Sequence, residues 1–198
     1  MTTLPTPANT TETAPHPRSR LRARLVLASL SVCGFAALAW ASFVSPLPRL
    51  TYNPSDSVAI GWYRIEPFDP HTLLPSRPLS VDSIVLVPVP AEAAALAARR
   101  GYLPTRIPLL KRVGAVAPQE VCIVDRSVRI DGVPVAVALP ADRMGRPLSS
   151  WAQCRRLEPG ELFLLSMTNP ASFDSRYFGP VRASAVLGLA HPVWLETR

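Results

Sequence analysis

A mainly β domain with one short helix, set behind a single N-terminal transmembrane helix, is the architecture this sequence predicts. Three observations carry that expectation. Residues 25–44 run without a charge; beyond Pro46 the chain breaks into short β-branched runs bounded by proline and turn residues; and in that region only residues 91–100 (AEAAALAARR) have a helical composition. At 198 residues the chain has room for one domain of ordinary size and little else.

Taken in order, residues 1–17 are rich in Thr, Pro and Ala with no apolar period, and read as a disordered tail. Residues 18–45 form a basic flank, RSRLRAR, and an apolar run, LVLASLSVCGFAALAWASFV. As a helix, the 20 uncharged residues 25–44 reach about 30 Å, enough to span a hydrocarbon core. Small residues near the end of the run also fit a cleaved signal peptide, but the run is long for one. Arg18, Arg20, Arg22 and Arg24 precede it, which predicts a cytoplasmic N-terminus and places residues 46–198 on the far side.

In that domain DSIVLVPV (82–89) predicts a strand, and the helix over 91–100 is capped by Gly101. Residues 109–116, 121–125 and 127–130 read as strands. Asp131-Gly132 is a hairpin turn leading to a strand over 133–138. Strands over 161–166 and within 184–195 complete a mostly β domain.

The formal charge of +7 raises the question of nucleic acid, but four of the arginines lie in one short run and no other stretch mixes basic residues with aromatics. Nucleic-acid binding is therefore not expected. There is no glycine-rich phosphate loop and no Cys/His cluster at metal spacing, so neither cofactor nor metal is expected. Cys33 falls in the apolar run. Cys122 and Cys154 could pair if the domain lies outside the cytoplasm, stabilising it by ~3–4 kcal/mol; two free thiols are the alternative.

His16, His71 and His191 are the only histidines, in the tail or beside prolines, and none adjoins a candidate nucleophile. A serine nucleophile without histidine needs another base, and lysine is the usual solution. Of 21 Lys plus Arg, one is Lys, Lys111. Arg is always protonated, whereas a desolvated Lys can lose its proton. Strand alternation places Lys111 on the side of Leu109 and Val113, an apolar surface. Bringing it from ~10.4 to ~7 would need roughly 4 kcal/mol of desolvation. A surface Lys with its stem along the protein is the alternative reading.

Three segments, in order, resemble one family. YNPSDSVAIGWYRI (52–65) resembles the nucleophile box of signal peptidases, and more closely that of their TraF-type conjugative transfer branch. There a Ser is followed by an apolar residue, Pro, any residue, Gly, any residue and Tyr; here Ala59 stands in the Pro position. LLKRVGA, preceded by RGYLP, is similar to the general-base segment, and SFDSRYFGPV (172–181) resembles the closing box. The branch commonly has a cysteine pair where Cys122 and Cys154 stand.

The resemblance implies a small signal-peptidase-like β domain in which Ser57 is the nucleophile and Lys111 the base. It implies that the Ser55 hydroxyl joins the Ser57 N–H in an oxyanion hole, and that Ser172 orients the lysine. Asp174 and Arg176 would brace the wall, with a catalytic role for Asp174 also open. Ser166-Met167 resembles the Ser-Met of housekeeping signal peptidases but follows the lysine in sequence, and reads as a strand end. The implied protein is a single-pass enzyme of a bacterial inner membrane with a periplasmic catalytic domain. Its implied partners are the bilayer, a membrane-inserted pilin-like precursor, and conjugation or type IV secretion machinery. Ser57 follows residue 44 by 13 residues, a reach of at most ~45 Å, which would hold it near the outer boundary of the membrane. The alternatives are a general secretory signal peptidase and a non-catalytic secretion-complex subunit.

Overall fold

The computed structural model describes residues 17–43, 49–68, 79–104 and 106–196. The tail over 1–16 with His16, and residues 69–78 with His71, lie outside them. The chain divides into two compact units, Met1–Pro46 and Leu47–Arg198.

The first unit contains helix α1, Pro17–Phe43, which coincides with the basic flank and most of the uncharged run. Its described side chains, such as Leu30 and Phe35, are exposed. Among the described residues no helix is long and apolar enough to cross a membrane. A helix thus stands where the anchor was expected, but the described residues do not show it as a membrane span.

The second unit is mainly β. Its strands are β1 (Arg49–Asn53), β2 (Gly61–Pro67), β3 (Ile84–Val87), β4 (Leu109–Val116), β5 (Glu120–Val124), β6 (Ser127–Ile130), β7 (Val133–Val137), β8 (Cys154–Arg156), β9 (Glu161–Leu165), β10 (Val181–Arg182) and β11 (Gly188–Leu195). Helix α2 spans Ala91–Arg99 and helix α3 Ser175–Phe178. One sheet runs β1-β2-β11-β3-β4-β9-β10 and a second runs β7-β6-β5-β8. Every pairing is antiparallel.

The two sheets share their core through β9, which is buried on both faces. Leu162 and Leu164 pack with Val85, Val87 and Val113, whereas Phe163 and Leu165 pack with Val121, Ile123 and Val128 of the smaller sheet. A strand buried on both sides reads as a continuous apolar run, which is what ELFLL is. β4 serves both layers by shifting register between Val113 and Ala115. Gly114 permits this, because a Cβ there would stand 2.9 Å from Leu165 Cβ. Cys122 and Cys154 pair opposite each other on β5 and β8 and are joined by a disulfide.

Several expected elements differ. The strand expected over 82–89 is confined to β3, and residues 183–185 form a 3₁₀ turn before β11. A second helix, α3, joins the expected one. At four residues it is too short to show a periodicity, and it starts because the Asp174 side chain accepts the Arg176 N–H. β1, β2, β8 and β10 were not expected. β2 does alternate, with Gly61, Tyr63 and Ile65 buried and Trp62 and Arg64 exposed. β8 and β10 are three and two residues long and exist only through their partners β5 and β9.

On the outward face of the first sheet, Tyr52, Trp62 and Trp194 stand opposite one another across β1, β2 and β11. The Tyr52 and Trp62 rings are 5.3 Å apart, and Trp194 is 72% exposed.

Candidate active site

Residues 54–60 connect β1 to β2 and carry Ser55 and Ser57. Buried Asn53 shapes this connection: its Nδ2 donates to the carbonyls of Ser55 (2.7 Å), Ala59 (3.1 Å) and Val58 (3.2 Å). Asp56 is held from the other side, its carbonyl accepting from Thr168 Oγ1 at 2.7 Å and its carboxylate from Asn169 Nδ2. The connection ends at Gly61, which has φ +145° and whose Cβ would lie 2.2 Å from the Trp194 carbonyl. No other residue fits that approach.

Lys111 comes from β4, 54 residues later in the chain, and its Nζ donates to Ser57 Oγ at 2.7 Å. It also donates to Ser172 Oγ, which lies 3.2 Å from Ser57 Oγ. Lys111 is 3% exposed. Burial lowers its pKa from the ordinary 10.5 to about 8; Asp174 pulls it upward and Arg176 downward. Desolvation outweighs the upward pulls of Asp56 and of Asp174, whose carboxylate is already neutralised by its own partner. An amine of this kind, within hydrogen-bond distance of a hydroxyl, can accept that hydroxyl's proton.

That partner is Arg176. The guanidinium donates to both carboxylate oxygens of Asp174, at 2.8 and 2.9 Å, and both residues are fully buried. Its remaining donors go to the carbonyls of Pro170 (2.8 Å), Val137 (3.0 Å) and Ser172 (3.0 Å). Asp174 also accepts the N–H groups of Ser166 and Arg176. Asp174 and Arg176 thus tie the segment carrying Ser172 to the end of β9, and neither hydrogen-bonds Ser57 or Lys111.

Ser55 Oγ donates to Asn53 Oδ1 at 2.9 Å and lies 3.4 Å from Ser57 Oγ. With one proton to give, it must rotate away from Asn53 to donate elsewhere. The Ser57 backbone N–H has no acceptor among the described residues.

Ser166 is more than a strand end. Its buried hydroxyl donates to the Ser57 carbonyl at 2.8 Å and accepts the Asn169 N–H at 3.1 Å. Asn53 and Ser166 are the residues the sequence reading missed. The one available signal was Asn53 itself, a strong turn former at the end of β1 beside Pro54.

These groups open on a cleft of about 400 Å³, lined near Ser57 and Lys111 by Leu109, Ser172 and Phe173. No histidine among the described residues lines it; His191 instead lies 3.2 Å from Glu66. Among the described residues, Glu120, Cys122 and Cys154 form the group that could surround a cation, but the disulfide occupies both sulfurs.

A family model for signal peptidases, peptidase S26, matches residues 22–195. The chain belongs to the signal peptidase S26 family. Within it, the chain is 36% identical over 180 residues to the conjugal transfer protein TraF of Agrobacterium fabrum, covering 86% of this chain and 96% of that one. It is 37% identical over 155 residues to a probable conjugal transfer protein TraF of Sinorhizobium fredii, covering 73% and 76%. A signal peptidase I structure from Enterococcus faecalis aligns with a TM-score of 0.36 and 20% identity, covering 57% of this chain and 97% of that one.

Proposed function

We propose that this chain is a membrane-bound serine endopeptidase with a Ser57–Lys111 dyad, cleaving the leader from a pilin-like precursor during conjugative transfer or type IV secretion. The observation that carries the reading is the 2.7 Å contact between a buried amine with a pKa of about 8 and a hydroxyl lining an open cleft.

In the neutral form Lys111 keeps an N–H for Ser172 and turns its lone pair to the Ser57 hydroxyl. Ser57 Oγ attacks the scissile carbonyl carbon as its proton passes to Nζ. The oxyanion is met by the Ser57 N–H and, after rotation, by the Ser55 hydroxyl; one such donor is worth ~10²–10³ in rate. Lys111 returns the proton to the leaving amine, then activates the water that hydrolyses the acyl-enzyme. Ser172 orients Lys111, and Asp174 with Arg176 holds Ser172 in place.

Membrane attachment is supported by the uncharged run over 25–44 with its arginine flank. The outward row of Tyr52, Trp62 and Trp194 adds to this, since Trp and Tyr favour the membrane–water interface. The Cys122–Cys154 disulfide suits a periplasmic domain. Membership of the signal peptidase family supports leader cleavage, and the conjugal transfer relatives support the pathway. The test is co-expression with a candidate prepilin. Wild type should release the leader while Ser57→Ala and Lys111→Arg leave the precursor intact; normal cutting by Lys111→Arg rules out the lysine as base.

A further inference from the structure

The cleft has a wall built of residues that the acyl-transfer chemistry does not use. Residues 139–148 fold back on themselves. Asp142 N–H donates to Arg146 O at 3.0 Å, Gly145 N–H donates to Asp142 O at 2.9 Å, and Ala141 bridges Pro147. Asp142 Oδ1 caps the turn by accepting the N–H groups of Met144 (2.9 Å) and Arg146 (3.0 Å). Its Oδ2 accepts from the Tyr102 hydroxyl and from Arg146 Nε at 2.7 Å, with Arg100 Nη1 at 3.6 Å. Arg146 also donates to the Arg100 carbonyl at 3.1 Å and lies over the Tyr102 ring. The hairpin is therefore pinned to the segment that follows α2, and the backbone of its tip, Arg143 and Met144, is fixed by the bonds of Asp142 and Arg146.

Arg100, Arg143 and Arg146 line the same cleft as Ser57 and Lys111, with Asp142 as the acid between them. Three positive charges against one negative leave this wall with an excess of two. Asp142 is already shared between Arg100 and Arg146, whereas Arg143 is exposed and has no partner among the described residues. The other acid lining the cleft, Asp56, is held by Asn169. We propose that the hairpin tip is a carboxylate-recognition site, in which Arg143 pairs with an acidic group of the peptide segment lying in the cleft. The pinned turn fixes the backbone that carries Arg143, so only its side chain has to be ordered on binding, and a guanidinium can grip a carboxylate with two parallel hydrogen bonds. The carboxylate could belong to a Glu or Asp side chain or to a chain terminus. This inference rests on the peptidase reading and narrows its substrate to precursors acidic near the scissile bond.

The test is protection of Ser57 in the full chain, in detergent micelles, from a lipophilic serine-directed acylating probe. The competitors are ten-residue alanine peptides with one Glu, Gln or Lys placed at each position in turn, each made as free acid and as amide. At one or two positions the Glu peptide should halve labelling at a concentration about tenfold below that of its Lys counterpart, with Gln between. Arg143→Glu should invert that order and Arg143→Gln level it, with Tm confirming that both variants fold. A preference confined to free acids identifies a terminal carboxylate; one that persists in the amides identifies a side chain. Equal protection by Glu and Lys at every position, failure of every peptide to protect, or a preference that survives Arg143→Glu overturns the site. Wild-type labelling that does not depend on Ser57 overturns the peptidase reading itself.

Discussion

Lys111 is the residue on which the proposed chemistry costs the fold most. Its folded pKa of about 8 lies below the ordinary 10.5. Below pH 8 both folded and unfolded chains carry the proton, and the folded state bears the full penalty of the buried charge. Between pH 8 and 10.5 the unfolded chain holds more protons, so stability rises with pH, by roughly 3 kcal/mol in all. Lys111→Met removes the charge and fills similar space. At pH 7 the variant should be more stable than wild type by about 1–3 kcal/mol, and the wild-type-minus-variant difference should close between pH 8 and 10.5. Denaturant melts at several pH values check this; a variant less stable at pH 7 contradicts the burial argument. Ser57 was legible in the sequence through the resemblance of residues 52–65 to a nucleophile box, and Lys111 through that of LLKRVGA to a general-base segment and as the single lysine among 21 basic residues. Asn53 and Ser166 were not, because their work is to hold backbone carbonyls whose positions only the folded chain sets.

At the scale of elements, the β1–β2 hairpin and β11 both hold the nucleophile connection and present the aromatic row. The end of β11 reaches that connection directly, with Glu196 N–H donating to the Ile60 carbonyl at 2.9 Å. β11 shifts register between Pro192 and Trp194, and this returns Trp194 to a place opposite Trp62. If the row seats in a membrane interface, replacing Trp62 and Trp194 together by Ala should weaken binding of the 47–198 unit to anionic lipid vesicles by roughly tenfold or more. The same variant should leave the melting temperature nearly unchanged, since both side chains are exposed. Sedimentation with vesicles measures the first, and equal binding by wild type and variant contradicts the role. The longer strands β4 to β7 were readable from β-branched runs and a hairpin turn. β2 carried its alternation in plain view, with Tyr63 and Ile65 inward and Trp62 and Arg64 outward, but inside a segment read for its chemistry. β8 and β10 left no pattern because two or three residues cannot hold one.

At the scale of the whole molecule, the second unit brings together groups that lie far apart in sequence: Ser57 from the β1–β2 connection, Lys111 from β4 and Ser172 from the segment before α3. The smaller sheet supplies none of these three side chains, although its Val137 carbonyl accepts from Arg176, and its disulfide closes a span of 32 residues. Loop-closure entropy gives the cross-link about 3–4 kcal/mol, so replacing Cys122 and Cys154 by Ser should lower Tm by roughly ten degrees or more. Ser57 should remain reactive below the new transition; loss of labelling in the folded variant would tie the disulfide to the site. The pH dependence of Ser57 acylation by a serine-directed probe tests the Ser57–Lys111 dyad most directly. The rate should climb with pH through an inflection near 8 and vanish in Lys111→Arg. A flat profile, an inflection near the ordinary lysine value, or undiminished labelling of Lys111→Arg would contradict it.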